Sequence, residues 1–353
     1  MTDGAGGRVA RHGTKKGLGM RISEDRTVGN RFARAVGIAA TAFCVLCGNI
    51  NDASAVEGAT NFYLLGSRAH YAGVMPGPGS YFANDLYIYN GTATADLPLG
   101  GQVAADVDAT AIIDLMTGLH VLPVQFLGGT IAVGLTVPVG WQEISASLEG
   151  PGVKDDDFEF GDPVLVGALG WHDGNFHWQI GGLLNVPIGS WNDGDLVNLG
   201  FNRWAFDLTG AVTYLDLAAG IELSSAVGIT FNGENLDTGY DSGTELHAEF
   251  AASKLFANGM SLGVVGYHYQ QLSGDSGGTA AQQVLVGLTD GFKGRATAIG
   301  PSFGMTVPLG DRALNMNLRW YHELDVKNRL EGDAVLFSAS VPLQADPMMA
   351  AAK

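Results

Sequence analysis

The sequence predicts an all-β chain: an antiparallel transmembrane β-barrel of about 14 strands, or 12 on an alternative count, with long outer loops and short periplasmic turns. Three observations point there. Apolar and polar residues alternate with a period of two over long stretches, the connections between those stretches alternate between short and long, and no apolar run reaches 18 residues. Alternation is how a strand with lipid on one side and water on the other is written, and a bilayer-spanning helix needs about 20 apolar residues.

The alternation is strictest near the carboxy terminus. Leu314, Met316, Leu318, Trp320, Leu324 and Val326 fall on one side of a strand, and Asn315, Asn317, Arg319, Tyr321, Glu323 and Asp325 on the other. His322 alone breaks the apolar row, and Val335, Phe337, Ala339 and Val341 repeat the pattern in the next segment. A soluble β-sandwich uses the same alternation, so the loops must discriminate.

The amino end differs from the rest. Residues 1–40 hold eight of the 19 Lys and Arg, and an apolar run from Ala35 to Gly48 leads to Ala53-Ser54-Ala55. A basic region, a short apolar core and a small-x-small site describe a secretory signal peptide over residues 1–55, and Met20 offers a second start that would leave 1–19 untranslated. The barrel is then expected over residues 56–343, followed by a tail, 344–353. Cleavage would leave 11 basic against 32 acidic residues, a net charge of −21, and would remove Cys44 and Cys47, the two cysteines. So acidic a chain repels nucleic acid.

Short connections are read near Leu99-Gly100-Gly101, Val139-Gly140-Trp141, His172-Asp173-Gly174-Asn175, Leu215-Asp216, Asn258-Gly259 and Leu309-Gly310-Asp311. Longer ones lie near 69–83, 116–127, 149–160, 188–202, 232–243 and 272–292, with a brief one at 327–331. Such segregation of loop length marks an outer-membrane barrel. The count is 14 if residues 60–68 form the first strand and 12 if the amino-terminal part, with its Pro76-Gly77-Pro78-Gly79 loop, folds into the lumen. Pro98, Pro138, Pro308 and Pro342 are expected at strand ends, because proline cannot donate to a ladder. Trp141, Trp171, Trp178, Trp204 and Trp320 are expected in the interfacial aromatic girdles.

Phe160-Gly161-Asp162-Pro163, Leu169-Gly170-Trp171-His172, Gly174-Asn175-Phe176-His177-Trp178, Asn198-Leu199-Gly200-Phe201-Asn202-Arg203-Trp204, Gly266-Tyr267-His268-Tyr269, Gly291-Phe292-Lys293-Gly294-Arg295 and Trp320-Tyr321-His322-Glu323 follow one another in the chain. In order and spacing these segments closely resemble the outer-membrane transporter family of the meta-cleavage (MetA) pathway of phenol degradation, over roughly residues 61–343. The resemblance implies a porin-like barrel, free of chemistry of its own, that helps small hydrophobic and often aromatic compounds cross the bacterial outer membrane. A structural or adhesive barrel with a blocked lumen, and an outer-membrane hydrolase, are the competing functions. Expected partners are outer-membrane lipid and lipopolysaccharide, small hydrophobic solutes and the barrel assembly machinery, with no nucleic acid and no cofactor.

Candidate lumen residues are Arg203 and Asp207 together with a carboxy-terminal group, Lys293, Arg295, Arg319, Glu323, Asp325 and Arg329. Facing charges of this kind either set selectivity at a constriction or hold a lumen-filling network rigid. Tyr267, Tyr269 and Tyr321 are candidates for contact with an aromatic solute. No metal site is expected; the acidic run Asp155-Asp156-Asp157 is a weak candidate for calcium, which takes several oxygen ligands, against the alternative of a solvated loop. Gly274-Asp275-Ser276-Gly277 matches a protease nucleophile motif but is ordinary turn chemistry in a predicted outer loop.

Overall fold

In the computed structural model, residues 57–93, 96–147, 152–289 and 291–344 are described. The predicted leader, both cysteines and nearly all of the tail lie outside them. Twelve antiparallel strands follow one another round a ring: β1 (Gly79–Ala93), β2 (Gln102–Phe126), β3 (Gly129–Ser147), β4 (Val164–Asp173), β5 (Phe176–Asn185), β6 (Ala205–Asp216), β7 (Ile221–Asn232), β8 (Glu245–Leu255), β9 (Met260–Gln271), β10 (Arg295–Leu309), β11 (Arg312–Lys327) and β12 (Glu331–Pro342). Pairing of β1 with both β2 and β12 closes the ring, so the wall has no free edge. Two short strands outside it, Leu97–Leu99 and Gly152–Phe160, bring the sheet to 14 strands. Of the two expected counts, 12 is the ring. Residues 60–68 are not a strand, and the amino-terminal segment instead runs through the lumen.

Burial is inverted relative to a soluble domain. Ile180, Leu208, Phe206 and Leu318 are exposed on the outer wall, while Asp207, Glu222 and Glu249 are fully buried inside it. Only a lipid-facing wall makes that arrangement favourable. Trp178, Trp204 and Trp320 are exposed on the outer wall, and Trp171 stacks with Trp178 near the β4–β5 turn at a centroid distance of 6.5 Å.

The connections segregate as expected. Residues 127–128, 174–175, 217–220, 256–259 and 310–311 are tight turns at one end, and the longer loops 186–204, 233–244 and 272–294 lie at the other. The last of these carries helix α1 (Ala280–Leu288), started by a capping box between Thr279 and Gln282. Two expectations fail in the first hairpins. The turn expected at 139–141 lies inside β3 and the loop expected at 116–127 is nearly all β2, because these strands, 25 and 19 residues long, continue beyond the bilayer. Pro138 is tolerated in mid-strand because β3 changes neighbour there, pairing with β4 through Thr136 and with the outer strand from Val139. The connection at 99–101 belongs to the long-loop end.

Candidate functional site in the barrel lumen

The lumen is occupied by residues 57–78, which start among the long loops and run down to the tight-turn end, where they lead into β1. Wall side chains hold the backbone of this segment at each level. Near the tight turns, Thr213 Oγ1 accepts from the Gly73 amide at 2.9 Å, Gln179 Nε2 donates to the Ala72 carbonyl, and Glu222 accepts from the Tyr71 amide at 2.8 Å and His70 Nδ1 at 2.9 Å. At mid-height Glu249 accepts from the amides of Gly66 at 3.0 Å and Arg68 at 2.9 Å. Three strands further round the ring, Arg319 Nη1 donates to the carbonyls of Gly66 at 2.7 Å and Ser67 at 3.0 Å, and the Tyr321 hydroxyl donates to Gly66 O at 2.9 Å. Near the long loops Arg329 Nη1 donates to Asn61 Oδ1 at 2.6 Å, and the Glu57 carboxylate accepts from Asn235 at 2.9 Å and Gln282 at 3.2 Å.

Most of these contacts pair a wall side chain with a main-chain group of the plug. An irregular chain crossing a bilayer has to satisfy its amides and carbonyls on something, and the alternating inward residues of the wall supply the partners. Gly66 sits at φ +83°, and a Cβ there would stand 2.6 Å from the Tyr321 ring. Tyr63 is the aromatic anchor: its ring stacks on His247 at 3.6 Å, and His247 Nε2 lies 2.8 Å from Asp207 Oδ2. Asp207 also accepts from Thr209 at 2.5 Å and Thr230 at 2.8 Å.

The plug divides the lumen into two spaces that share no lining residue. On the tight-turn side is a vestibule of about 680 Å³ reaching Pro76, Phe256 and Met305. On the long-loop side is a cavity of about 160 Å³ lined by Tyr63, Leu65, Tyr89, Ala111, Leu196 and Tyr267. An apolar cavity of about 150 Å³ holds one benzene ring. Its polar corner is the Glu323 carboxylate, which accepts from the Tyr89 hydroxyl at 3.0 Å, the Tyr267 hydroxyl at 2.9 Å and the Gly332 amide at 2.9 Å.

The roof of the cavity is loop 186–204, which folds inward and buries Leu196 and Leu199. Carboxylates hold it down. Asp155 accepts from the amides of Leu196 at 3.0 Å and Val197 at 3.1 Å, Glu159 from Leu199 at 2.8 Å, and Asp162 from Gly189 and Phe201, both at 2.8 Å. The acidic run is thus a backbone clasp: strand alternation sends Asp156 away from Asp155, and Asp157 accepts from the next amide, Phe158, at 2.7 Å. Among the described residues no group of three or more His, Cys, Asp or Glu is placed to hold a metal. Asp275, from the protease-like motif, is buried in the 272–294 loop and accepts from the Tyr240 hydroxyl at 2.6 Å and the Gly243 amide at 2.8 Å. These donors favour its ionised form, but burial outweighs them and holds its pKa up at about 8.

The predicted lumen residues divide. Arg319, Tyr321, Glu323 and Tyr267 face inward on β9 and β11, Asp207 does so on β6, and Arg203 is buried just before β6, its Nε donating to Asn232 at 3.2 Å. Arg329 lies inside too, its guanidinium 4.5 Å from the Tyr269 ring centroid. Lys293 lies in the loop before β10. Arg295 and Asp325 are on the outer wall, joined at 2.9 Å, and this corrects their expected place in the lumen. The cause is a bulge: the β10–β11 register passes from Thr297↔Asp325 to Ala298↔Glu323, leaving Leu324 as an extra residue. Beyond it the faces exchange, so Asp325 points out and Val326 packs against the interior. Of the three tyrosines only Tyr267 lines the cavity; the Tyr321 hydroxyl holds the plug and Tyr269 lies under Arg329.

Sequence reasoning did not single out Glu222, Glu249 and Tyr63. Glu249 carries the alternation signal of an inward residue, whereas Tyr63 sits in a segment without period.

Comparison with known proteins agrees with this geometry. The crystal structure of an outer-membrane channel from Pseudomonas putida F1 superposes with a TM-score of 0.58 at 19% identity, covering 76% of this chain and 99% of that one. The transport unit of the autotransporter AIDA-I from Escherichia coli gives 0.42 at 7% identity over 78% and 95% of the two chains. A FadL homologue from Pseudomonas aeruginosa gives 0.34 at 9% over 74% and 88%. No curated protein matches the sequence. The profile of the MetA-pathway of phenol degradation family matches residues 90–339, all twelve ring strands wholly or in part, and the chain belongs to that family.

Proposed function

We propose that this protein is an outer-membrane channel that takes up small hydrophobic solutes, single aromatic rings among them, through the lumen. The observation that carries the proposal is the cavity of about 160 Å³ on the long-loop side, apolar on most of its surface and closed below by the plug. A ring entering from outside would be desolvated there among Leu65, Leu196, Tyr89 and Tyr267, and passage onward would require the plug to move. The inner charges hold the plug: Arg319 and Glu249 fix Gly66, and Arg329 fixes Asn61. On this reading the charged side chains of the lumen act as latches.

The test is uptake of a radiolabelled neutral monoaromatic compound by cells that express the barrel and are otherwise unable to import it. Wild type should raise the rate several-fold, and Ala111→Trp, which fills the cavity, should return it to background with the barrel still folded. Equal uptake by the two proteins would exclude the cavity from the route.

A second reading, a structural barrel with a blocked lumen, is favoured by one observation: the plug is held by hydrogen bonds from its first described residue to Gly73. It predicts background uptake by wild type and no gain when residues 57–77 are deleted.

A further inference from the structure

A second site lies outside the lumen, on the outer wall. On β10 the outward residues Ile299, Pro301, Phe303, Met305, Val307 and Leu309 are all apolar. Ten residues at about 3.3 Å each, tilted by about 40°, cover about 25 Å, the full apolar band of a barrel. Arg295 and Thr297 therefore stand just beyond the hydrocarbon on the long-loop side, at the level of lipid headgroups.

Arg295 pairs in register with Lys327, so two cations stand directly opposite one another on the same outward face. Like charges in that position destabilise a sheet. Asp325 binds Arg295 at 2.9 Å and neutralises one of the two. Lys327 is exposed, Lys293 is two residues from Arg295, and neither is in an ion pair among the described residues. The other carboxylates on this face are Asp333, 3.0 Å from His322, and Glu331 on β12. Elsewhere on the outer surface of the long-loop end, among the described residues, the remaining cation is Lys154, held by Glu143 at 2.8 Å. In a chain of formal net charge −17, the cations available to an anion at this depth are thus gathered at one point.

We propose that Lys293, Arg295 and Lys327 bind a phosphate of the phosphorylated glycolipid of the outer leaflet, lipid A. The proposal rests on the outer-membrane orientation given above, with the long loops outside. Two lysines and an arginine at headgroup depth supply charge and donors for a phosphate monoester, and the apolar stripe from Ile299 to Leu309 below them gives its acyl chains a surface to lie on. A bound phosphate also relieves the Arg295–Lys327 opposition.

The test is native mass spectrometry of the purified full-length barrel with bisphosphorylated lipid A, dephosphorylated lipid A and phosphatidylglycerol. Wild type should keep bisphosphorylated lipid A in preference to both others. K293Q/K327Q, which leaves the Arg295–Asp325 pair intact, should weaken it roughly 25-fold, at about fivefold per charge. K293R/K327R should retain it, and R312Q at the opposite end should not change it. Unchanged retention by K293Q/K327Q, or equal retention of dephosphorylated lipid A, would overturn the site; equal retention of phosphatidylglycerol would overturn the choice of lipid A. Solute uptake is a separate measurement, so loss of this site leaves the transport reading intact, and the reverse also holds.

Discussion

Glu249 and Arg319, three strands apart on the barrel wall, hold the same residue: Glu249 accepts from the Gly66 amide at 3.0 Å and Arg319 donates to the Gly66 carbonyl at 2.7 Å. The wall therefore grips the plug through its backbone. Each buried hydrogen bond to a charged group is worth about 1.5–3 kcal/mol. Arg319→Leu removes two of them and Glu249→Ala another two, so either variant should free the plug's midpoint while the ring stays closed. In planar bilayers both should show single-channel conductance raised several-fold over wild type, and the double variant more. Conductance that stays at the wild-type level in all three would mean that these residues do not restrain the plug.

Gly66→Ala tests the same contact from the plug. Its left-handed backbone costs a non-glycine residue about 1–2 kcal/mol, and the new methyl would meet the Tyr321 ring. Amide exchange over residues 63–73 should accelerate at least tenfold, with strands β4–β9 as protected as before. Exchange rising equally in the strands would show that plug and wall unfold together.

Glu323 is the buried carboxylate whose three donors shape the cavity. Tyr267→Phe removes one donor and should lower stability by about 1.5–3 kcal/mol in guanidinium unfolding. Tyr89→Phe should do the same, and the double variant should cost less than the sum, because both hydroxyls serve one carboxylate. Additive losses would indicate that the two tyrosines act independently.

Much of this was legible in the sequence, and the exceptions have physical reasons. The outward row Leu314 to Trp320 and the inward Arg319, Tyr321 and Glu323 are read correctly because a pleated strand permits no other arrangement. Asp325 is misplaced because one extra residue, Leu324, reverses both faces, and a bulge leaves no mark in the composition of its strand. The first hairpins are misread because Pro138 and Gly140 look like a turn, and only the change of partner along β3 makes them compatible with a strand. The plug has no period, so whether residues 60–68 line the wall or fill the lumen is decided by inward side chains hundreds of residues away, such as Glu249 and Arg319.

Asp275 gives the 272–294 loop a pH dependence. Its pKa in the folded loop, about 8, is above the ordinary carboxylate value of about 3.9 because burial favours the neutral acid. A raised pKa contributes stability that is complete below about pH 4 and is lost as pH rises through about 8. Protection factors of Gly243 and Asp275, corrected for intrinsic exchange, should therefore fall between pH 5 and pH 9 as order-of-magnitude markers of that window. In Asp275→Asn they should be flat, and a wild-type profile equally flat would show that the acid stays ionised.

The most direct test of lumenal solute binding is anomalous diffraction from crystals of the barrel soaked with bromobenzene. A single strong bromine peak is predicted inside the cavity, among Leu65, Tyr89, Leu196 and Tyr267, and it should be absent from Ala111→Trp crystals. Peaks confined to the lipid-facing wall, or a cavity peak that persists in Ala111→Trp, would contradict it.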